Sequence, residues 1–224
     1  MNLKEVVGKE AVNYVKDGMI VGLGTGSTVF YFVHALAEKV KEGLNVEMVS
    51  TSIQTVELAK SLGLTIKELE EIDHIDLAVD GVDEIDKDFN AIKGGGAALF
   101  REKIVADIAR EVIWIYDESK DVEKLGNFNL PVEILPFGYS HTIRKMEEAG
   151  LKPVLRLKDG ATLITDNNNY IVDLHLGYGF DIKAVKEKLE SIVGVVEHGL
   201  FLNMCKLCIK GTEQGAVIIE NPNN

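Results

Sequence analysis

Acidic, basic and glycine residues are concentrated between Asp80 and Lys103, in the sequence DGVDEIDKDFNAIKGGGAALFREK. Two carboxylates three positions apart, Asp80 and Asp83, are followed by Lys93, three consecutive glycines and then Glu102. Glycines let the backbone approach a ligand closely, and the start of the following helix presents unpaired N–H groups that favour an anion. We therefore predict proton transfer beside an anion, with Glu102 as the general base and Lys93 as its electrostatic partner.

Each of these charges, taken alone, also fits a surface loop and an ordinary helix of an acidic protein. The glycines fit that alternative less well, because three of them before a helix lower stability unless they serve a turn or a ligand. The presence of Gly94, Gly95 and Gly96 among so many charges in one short stretch therefore favours a ligand site.

A second candidate for ligand binding is the loop over residues 22–28, with the sequence GLGTGST. It is not the dinucleotide-binding fingerprint, because Ser27 stands where that pattern needs its third glycine, and no Gly-Lys-Ser/Thr of a P-loop follows. The loop offers instead backbone N–H groups and the hydroxyls of Thr25, Ser27 and Thr28, between a predicted strand and a predicted helix. One hydroxyl can serve as an ordinary helix N-cap, but the whole set predicts the binding of an anionic ligand.

Helical and strand patterns alternate through the first 120 residues. Helices are predicted over residues 3–17, 29–43, 53–63 and 97–110, and short apolar runs predict strands over residues 19–24, 46–50, 64–69, 75–79 and 111–117. Such alternation is typical of an α/β sheet with right-handed crossovers, whose ligands bind beyond the C-terminal ends of the strands. One cleft is therefore expected to collect the residues that follow those ends, namely Thr25, Thr51, Asp80 and Lys120.

The pattern changes near Asn127. A strand between Pro131 and Pro136 is expected at a sheet edge, and segments 151–157, 161–169 and 170–177 follow with a hairpin turn at residues 166–169. Helices are predicted over residues 140–150 and 182–192, so strict alternation is lost, as in a small α+β domain. Segments 206–211 and 216–221 are predicted to return to the first sheet. The predicted domains are residues 1–127 with 203–224, and residues 128–202.

Length and charge exclude several classes of protein. A chain of 224 residues can bury roughly 70% of its unfolded surface, so it needs neither metal nor disulfide to fold. Its 24 basic and 36 acidic residues give a net charge of −12, which argues against nucleic-acid binding. No apolar run approaches the roughly 18 residues of a membrane span, and the first residues do not resemble a signal peptide. We predict a cytoplasmic protein with no membrane or nucleic-acid partner.

Cys205 and Cys208 have the spacing C-x-x-C, which occurs in redox pairs and in halves of zinc sites. The segment over residues 204–209 reads as a strand, in which the two side chains would point to opposite faces. The chain has no second pair of cysteines, and its five histidines are scattered. These features favour a structural role for both cysteines and predict no metal site.

The most specific motif is the glycine block with its following charges, KGGGAA at 93–98 and REK at 101–103. Further motifs are GLGTGST (22–28), DGVDE (80–84), DESK (117–120), LPVE (130–133), TDNNN (165–169) and GVVEHGLF (194–201). In kind and order these motifs closely resemble type A ribose-5-phosphate isomerase over nearly the whole chain. The C-terminal segment that contains the two cysteines matches poorly.

The resemblance implies an aldose–ketose isomerase that interconverts D-ribose 5-phosphate and D-ribulose 5-phosphate through an enediolate, in the non-oxidative pentose phosphate pathway. It implies no metal and no cofactor. Glu102 would move the proton between C1 and C2, and Lys93 would stabilise the oxyanion. Asp80 and Asp83 would hold hydroxyls and assist ring opening or proton movement between oxygens. Lys4 and Lys120 would lie near the phosphate. The implied substrate contacts are Lys4, Thr25, Gly26, Ser27, Thr28, Asp80, Gly81, Asp83, Lys93, Gly94, Gly95, Gly96 and Lys120.

The resemblance also implies a fold and an assembly. The expected fold is a Rossmann-like, mostly parallel sheet with helices on both faces, together with a smaller inserted α+β domain of ferredoxin-like type. The expected partners are a small phosphosugar substrate and further copies of the chain, in a homodimer or homotetramer.

Three other functions remain open at this point. An amino-sugar-phosphate deaminase or isomerase would need a catalytic histidine near the acids, whereas His74 precedes Asp80 and the next histidine is His141. A sugar-phosphate sensor would keep the first loop without needing Glu102 or Lys93, and would usually carry a DNA-binding segment. A nucleotide-binding oxidoreductase is disfavoured by the missing glycine in the first loop.

Overall fold

A six-stranded, mostly parallel sheet organises the first part of the chain in the computed structural model, which describes residues 2–223. The α-helices are α1 (Leu3–Ala11), α2 (Ser27–Lys41), α3 (Ile53–Ser61), α4 (Leu99–Ile108), α5 (Tyr139–Glu148) and α6 (Ile182–Ser191). The strands are β1 (Ile20–Leu23), β2 (Glu47–Ser50), β3 (Ile75–Gly81), β4 (Glu84–Ile85), β5 (Asn90–Ile92), β6 (Ala109–Asp117), β7 (Leu130–Ile134), β8 (Pro153–Leu155), β9 (Leu157–Lys158), β10 (Ala161–Thr162), β11 (Tyr170–Leu174), β12 (Val195–His198), β13 (Leu200–Leu202), β14 (Leu207–Thr212) and β15 (Gly215–Glu220). Short 3-10 turns lie at Val12–Tyr14, Leu69–Glu71 and Glu118–Lys120.

The described residues divide into two compact units. The first unit runs up to Val82, includes Arg101–Lys120 and resumes from Asn203, and the second consists of Asp83–Phe100 and Asp121–Leu202. These units and the predicted domains differ over Asp83–Phe100 and over the start of the second unit. The division into domains at residues 127/128 and 202/203 stays a prediction.

The sheet of the first unit has the strand order β15-β14-β6-β3-β1-β2, and every neighbouring pair is parallel except β14 with β15. Val21 and Leu23 pack with residues of α1 and α2 in one core. Gly22, between them, faces the other way, since a Cβ there would lie 2.7 Å from Val105 of α4. Helices therefore cover both faces, and the predicted Rossmann-like α/β architecture is confirmed.

The second unit contains the order of elements β7-α5-β8-β11-α6-β12, in an antiparallel sheet with the strand order β12-β7-β11-β8. This β-α-β-β-α-β arrangement is ferredoxin-like, as predicted. Its core joins Val132 of β7 and Val172 of β11 to Met146 of α5 and Leu189 of α6, all fully buried. The turn after Thr165 also forms as predicted, closed by an antiparallel bridge between Ile164 and Tyr170.

Three predicted elements were wrong. Residues 64–69 do not form a strand, because Leu64 packs into the core and the backbone meets β2 through a bond from Lys67 N to Met48 O. Residues 80–96, between the strand predicted at 75–79 and the helix predicted at 97–110, are not all loop, because they contain β4 and β5, which join β13 in a three-stranded sheet. Strand β7 is interior rather than at an edge, and it accommodates Pro131 as its second residue, near the start of the strand.

None of the helices within residues 2–223 has the length and apolar character that crossing a bilayer requires.

Candidate active site

The first loop, after β1, presents the exposed start of a long helix. Gly26 precedes α2 with φ of 106°, a conformation that side chains rarely adopt, and both Gly26 and Ser27 are exposed. Thr28 is half-buried in the first turn. The start of a 15-residue helix is therefore accessible to solvent, and a helix start suits an anionic group.

Lys4 adds a positive charge to this loop. It lies in α1, and its Nζ donates to Ser27 Oγ at 2.8 Å. Both residues line a surface pocket of about 780 Å³, together with Asn2, Gly26, Phe30, Tyr31, Gln54, Thr55 and Leu58. An ammonium group beside a serine hydroxyl and a helix start can hold a phosphate within an otherwise acidic chain.

The carboxylate of Asp80 is locked against the first loop. Its Oδ1 accepts hydrogen bonds from Thr25 N at 3.0 Å and from Gly81 N at 2.7 Å, and the residue is buried. Gly24 has to be glycine, because a Cβ there would lie 2.1 Å from the same oxygen. Thr51 completes the contact through a hydroxyl-to-hydroxyl bond with Thr25 at 2.7 Å.

The four residues predicted to share a cleft lie at one edge of the sheet of the first unit, and the shared cleft stays a prediction. Thr25 and Lys120 follow the C-terminal ends of β1 and β6. Asp80 is the penultimate residue of β3, which lies between those two strands, and Thr51 follows β2 on the other side of β1. The half-buried Lys120 ends the 3-10 turn Glu118–Lys120.

Glu102 lies in the first turn of α4 and is only 4% exposed. Glutamate is rarely buried to this degree unless it is paired or functional. Its place at a helix start also favours a carboxylate, because the helix dipole is positive there.

In the second unit, Lys93 follows β5 directly and is 3% exposed. Its backbone N–H donates to Gly199 O at 2.9 Å, and its Nζ lies 5.3 Å from the centre of the Phe201 ring. A cation held over an aromatic face away from water keeps a strong electric field, because little solvent screens it. Gly199 directly precedes β13 and Phe201 lies in it. Both residues belong to the motif at 194–201, to which the sequence analysis assigned no role.

The three glycines form a loop whose conformation depends on Asp83. Gly94 has φ of 101°, and Gly95 N donates to Asp83 Oδ2 at 2.7 Å. A Cβ on Gly95 would lie 2.5 Å from Asp83 Oδ1. The loop closes with a bond from Ala97 N to Gly94 O, where Ala97 adopts the left-handed φ of 59°. Gly95 and Gly96 are exposed, so the loop backbone is accessible to a ligand.

Sequence reasoning missed Arg156 and Asp173, which form an ion pair beside this loop. The guanidinium also donates to the carbonyl oxygens of Gly94 and Gly95. The sequence does contain a sign of this pair, since Arg156 and Asp173 are opposite charges within the largely apolar strand segments LKPVLRL and YIVDL. Charges placed in such segments usually have a partner.

The cysteine prediction was wrong in geometry. The Sγ atoms of Cys205 and Cys208 lie 3.7 Å apart, both fully buried and not joined in a disulfide. They do not point to opposite faces, because Cys205 precedes β14, which begins only at Leu207. Within residues 2–223, no three His, Cys, Asp or Glu side chains are grouped as a metal site would require.

Comparisons with known proteins agree on one family. The family model of ribose 5-phosphate isomerase A (phosphoriboisomerase A) matches residues 47–215. A ribose-5-phosphate isomerase A of Limosilactobacillus reuteri is 52% identical over 219 residues, covering 97% of this chain and 96% of the relative.

Solved structures agree with the sequences. The ribose 5-phosphate isomerase A of Methanocaldococcus jannaschii has a TM-score of 0.91 at 40% identity, over 98% of each chain. A D-ribose-5-phosphate isomerase in complex with phospho-erythronic acid has a TM-score of 0.92 at 37% identity, over 98% of this chain and 100% of the other.

Proposed function

The chain belongs to the ribose 5-phosphate isomerase A family, and from this premise we propose how its residues divide the work of the reaction. The chain is an aldose–ketose isomerase that interconverts D-ribose 5-phosphate and D-ribulose 5-phosphate. The observation that carries the proposed division of roles is the buried carboxylate of Glu102 in the first turn of α4.

In the proposed mechanism, Glu102 removes the proton on C2 of the open-chain aldose. The electron pair of the broken C–H bond forms a C1–C2 double bond, and the carbonyl electrons move to the C1 oxygen, giving an enediolate. The proton of the C2 hydroxyl passes to the C1 oxygen, so that the negative charge moves to the C2 oxygen. Glu102 then returns its proton to C1 as the C2 carbonyl forms, which gives the ketose with a hydroxyl on C1. Positioned proton transfer of this kind contributes about 10²–10⁴-fold to a rate.

Lys93 is proposed to stabilise the enediolate oxygen. Its ammonium is buried and held over Phe201, so it is fixed before the negative charge develops and needs no reorganisation. Asp83 and Asp80 are proposed to hold hydroxyl groups and to assist ring opening or proton movement between oxygens. Backbone N–H donors fix both carboxylates in place, which supports an orienting role.

The phosphate is proposed to bind at the start of α2, within reach of Lys4. The exposed Gly26 and Ser27, the half-buried Thr28 and the bond from Lys4 to Ser27 support this assignment. Lys120 is proposed as a further phosphate contact because of its place after β6. Substrate contacts are also proposed for Thr25, Gly81, Gly94, Gly95 and Gly96. The mechanism assigns no step to a metal or a cofactor.

We further propose that the protein acts in the cytoplasm as a homodimer or homotetramer. The phosphate charge of its substrate supports the location, because ionised groups cross a bilayer at a high free-energy cost. Association with further copies would cover strongly exposed apolar side chains such as Phe137, 96% exposed, and Val193, 93% exposed.

Isomerisation of ribose 5-phosphate by EDTA-treated protein tests the assignment of Glu102. We expect turnover by the wild type and a loss of at least 10²-fold in Glu102→Gln, with ribose 5-phosphate still bound. Asp107→Asn is the matched control, since Asp107 lies on the same helix with an exposed side chain. Unchanged turnover in Glu102→Gln would refute its role as the base. Failure of the folded wild type to turn over a bound substrate would instead favour a sensor.

A further inference from the structure

Arg156 donates hydrogen bonds to backbone carbonyl groups of the loop of three glycines. Its Nη1 donates to Gly94 O at 2.9 Å and to Gly95 O at 3.2 Å. The side chain is only 14% exposed; its bond to Gly94 O is partly buried, whereas its bond to Gly95 O is exposed. Hydrogen bonds from a charged donor to backbone carbonyls are stronger than neutral ones.

Asp173 fixes the guanidinium in turn. Its Oδ2 accepts from Arg156 Nε at 2.8 Å and its Oδ1 from Nη2 at 2.5 Å, which is the two-pronged geometry that only arginine provides. The sheet places the two residues together: Arg156 N donates to Ile171 O, and Asp173 lies two positions along the same face of β11. The guanidinium is therefore held from one side and presents its remaining donors to the loop.

These bonds set the direction of the loop's N–H groups. In a trans peptide the carbonyl oxygen and the following N–H point in opposite directions. A bond from Arg156 to Gly94 O therefore turns the N–H of Gly95 away from Arg156, and this N–H donates to Asp83. The bond to Gly95 O turns the N–H of Gly96 away from Arg156 in the same manner. Glycine backbones have many alternative conformations, so without such bonds the loop would not keep one orientation.

We propose that Arg156 is a positioning residue for the isomerisation, acting through the peptide planes of Gly94 and Gly95 on Asp83 and on the backbone that follows Lys93. Asp173 acts one step further away, by orienting the guanidinium. The inference rests on the proposed function, in which Asp83 and Lys93 serve the reaction. A misplacement of about 1 Å in such a loop can lower a rate by about 10²-fold although no reacting group is removed.

The alternative is an ion pair that only stabilises the small sheet, and a matched destabilised variant separates the two. Val172→Ala removes a fully buried side chain from β11, next to Asp173, without touching the loop. We expect Val172→Ala to lower the melting temperature and keep kcat. We expect Arg156→Ala to lower kcat about 10- to 100-fold with KM changed less than about threefold, because orientation rather than binding is lost.

Two milder variants keep the test decisive if Arg156→Ala does not fold. Arg156→Lys retains the charge but cannot hold Asp173 and two carbonyls at once, and Asp173→Asn retains the arginine but loosens it. Both variants should lower kcat, with the larger loss in Arg156→Lys. Millimolar guanidinium added to the assay should partly restore the kcat of a folded Arg156→Ala but not that of Glu102→Gln.

Wild-type kcat in folded Arg156→Ala or Arg156→Lys, or a loss no greater than that of Val172→Ala, would overturn the proposal. A wild-type protein that does not isomerise ribose 5-phosphate would instead refute the proposed function, so the two failures are distinguishable.

Discussion

The two glycine-containing loops of this protein keep their conformations in different ways. The loop before α2 is held by the sheet from which it emerges: β1 leads into it, a 15-residue helix follows, and Thr25 N bonds to Asp80, which is 55 residues later but lies on the strand next to β1. The loop after Lys93 is held by side chains, from Asp83 on one side and from Arg156, more than 60 residues later, on the other. The first arrangement suits binding of a fixed anionic group, and the second suits precise placement of groups around a reacting centre.

This comparison separates two kinds of kinetic effect. Changes in the first loop and its lysine should act mainly on KM, since a phosphate is bound equally in the ground state and the transition state. Changes around Lys93 should act mainly on kcat, since the oxyanion charge appears only as the reaction proceeds.

The largest effect is expected from Lys93→Met, which keeps the apolar stem over Phe201 and removes the charge. Loss of one oxyanion-stabilising group should lower kcat about 10²–10³-fold with little change in KM. Steady-state kinetics of ribose 5-phosphate isomerisation measures both constants. Lys87→Met, an exposed lysine before β5, is the control. A rise in KM at unchanged kcat would reverse the roles of the two loops.

Gly24→Ala should destabilise the first loop. The new methyl group would lie 2.7 Å from Asp80 Cα as well as against its carboxylate, so backbone has to move. We expect a loss of about 3 kcal/mol in unfolding free energy, typical of overpacking, and a strong loss of activity as Asp80 shifts. Gly63→Ala, with φ of 84° and nothing within 4 Å, should cost only the backbone strain of about 1–2 kcal/mol and keep activity. Urea unfolding and steady-state kinetics measure the two effects. Equal losses of stability and activity in Gly24→Ala and Gly63→Ala would contradict the claim that the new methyl group at residue 24 clashes with Asp80.

Lys4→Ala should raise KM about tenfold and leave kcat nearly unchanged, because one charged hydrogen bond of about 1.5 kcal/mol to the phosphate is lost. The effect should shrink at high salt, since Lys4 is only half-buried. Lys9→Ala on the same helix removes an exposed lysine paired with Glu5 and should leave both constants unchanged. A fall in kcat without a rise in KM would place Lys4 in the chemistry instead.

The smallest effect is expected at Asp76, which lies near the opposite end of β3 from Asp80. The N–H of Ile20, which bonds to Oδ2, together with His74 and Arg110, holds the pKa of Asp76 below its ordinary value. A depressed pKa stabilises the fold above the unfolded-state pKa and loses this stabilisation as pH falls through the folded-state pKa. Asp76→Asn should therefore cost about 1 kcal/mol near pH 7, less as the pH is lowered towards 3, and leave kcat unchanged.

Urea unfolding of Asp76→Asn and wild type at the two pH values checks this pH dependence. A difference in stability that grows on acidification would contradict the assigned sign.

The sequence was most informative where structure depends on neighbours in the chain. The β1–loop–α2 unit, the cluster of residues after the strand ends and the β-α-β-β-α-β order all follow from local periodicity and turn residues. The strand predicted at 64–69 failed because its few apolar residues pack into the core rather than extend the sheet. The contacts of Arg156 with Gly94 and of Lys93 with Phe201 could not be predicted, because they depend on pairing between strands far apart in sequence.

Proton NMR of ribose 5-phosphate in D₂O tests the central claim most directly, because it follows the C2–H bond that Glu102 is proposed to break. With wild-type protein, the C2 proton signal should decline as isomerisation and return from the ketose introduce solvent deuterium. With Glu102→Gln, the signal should persist while calorimetry shows that the sugar phosphate still binds. Loss of the C2 signal at the wild-type rate in Glu102→Gln would contradict the assignment of Glu102 as the base.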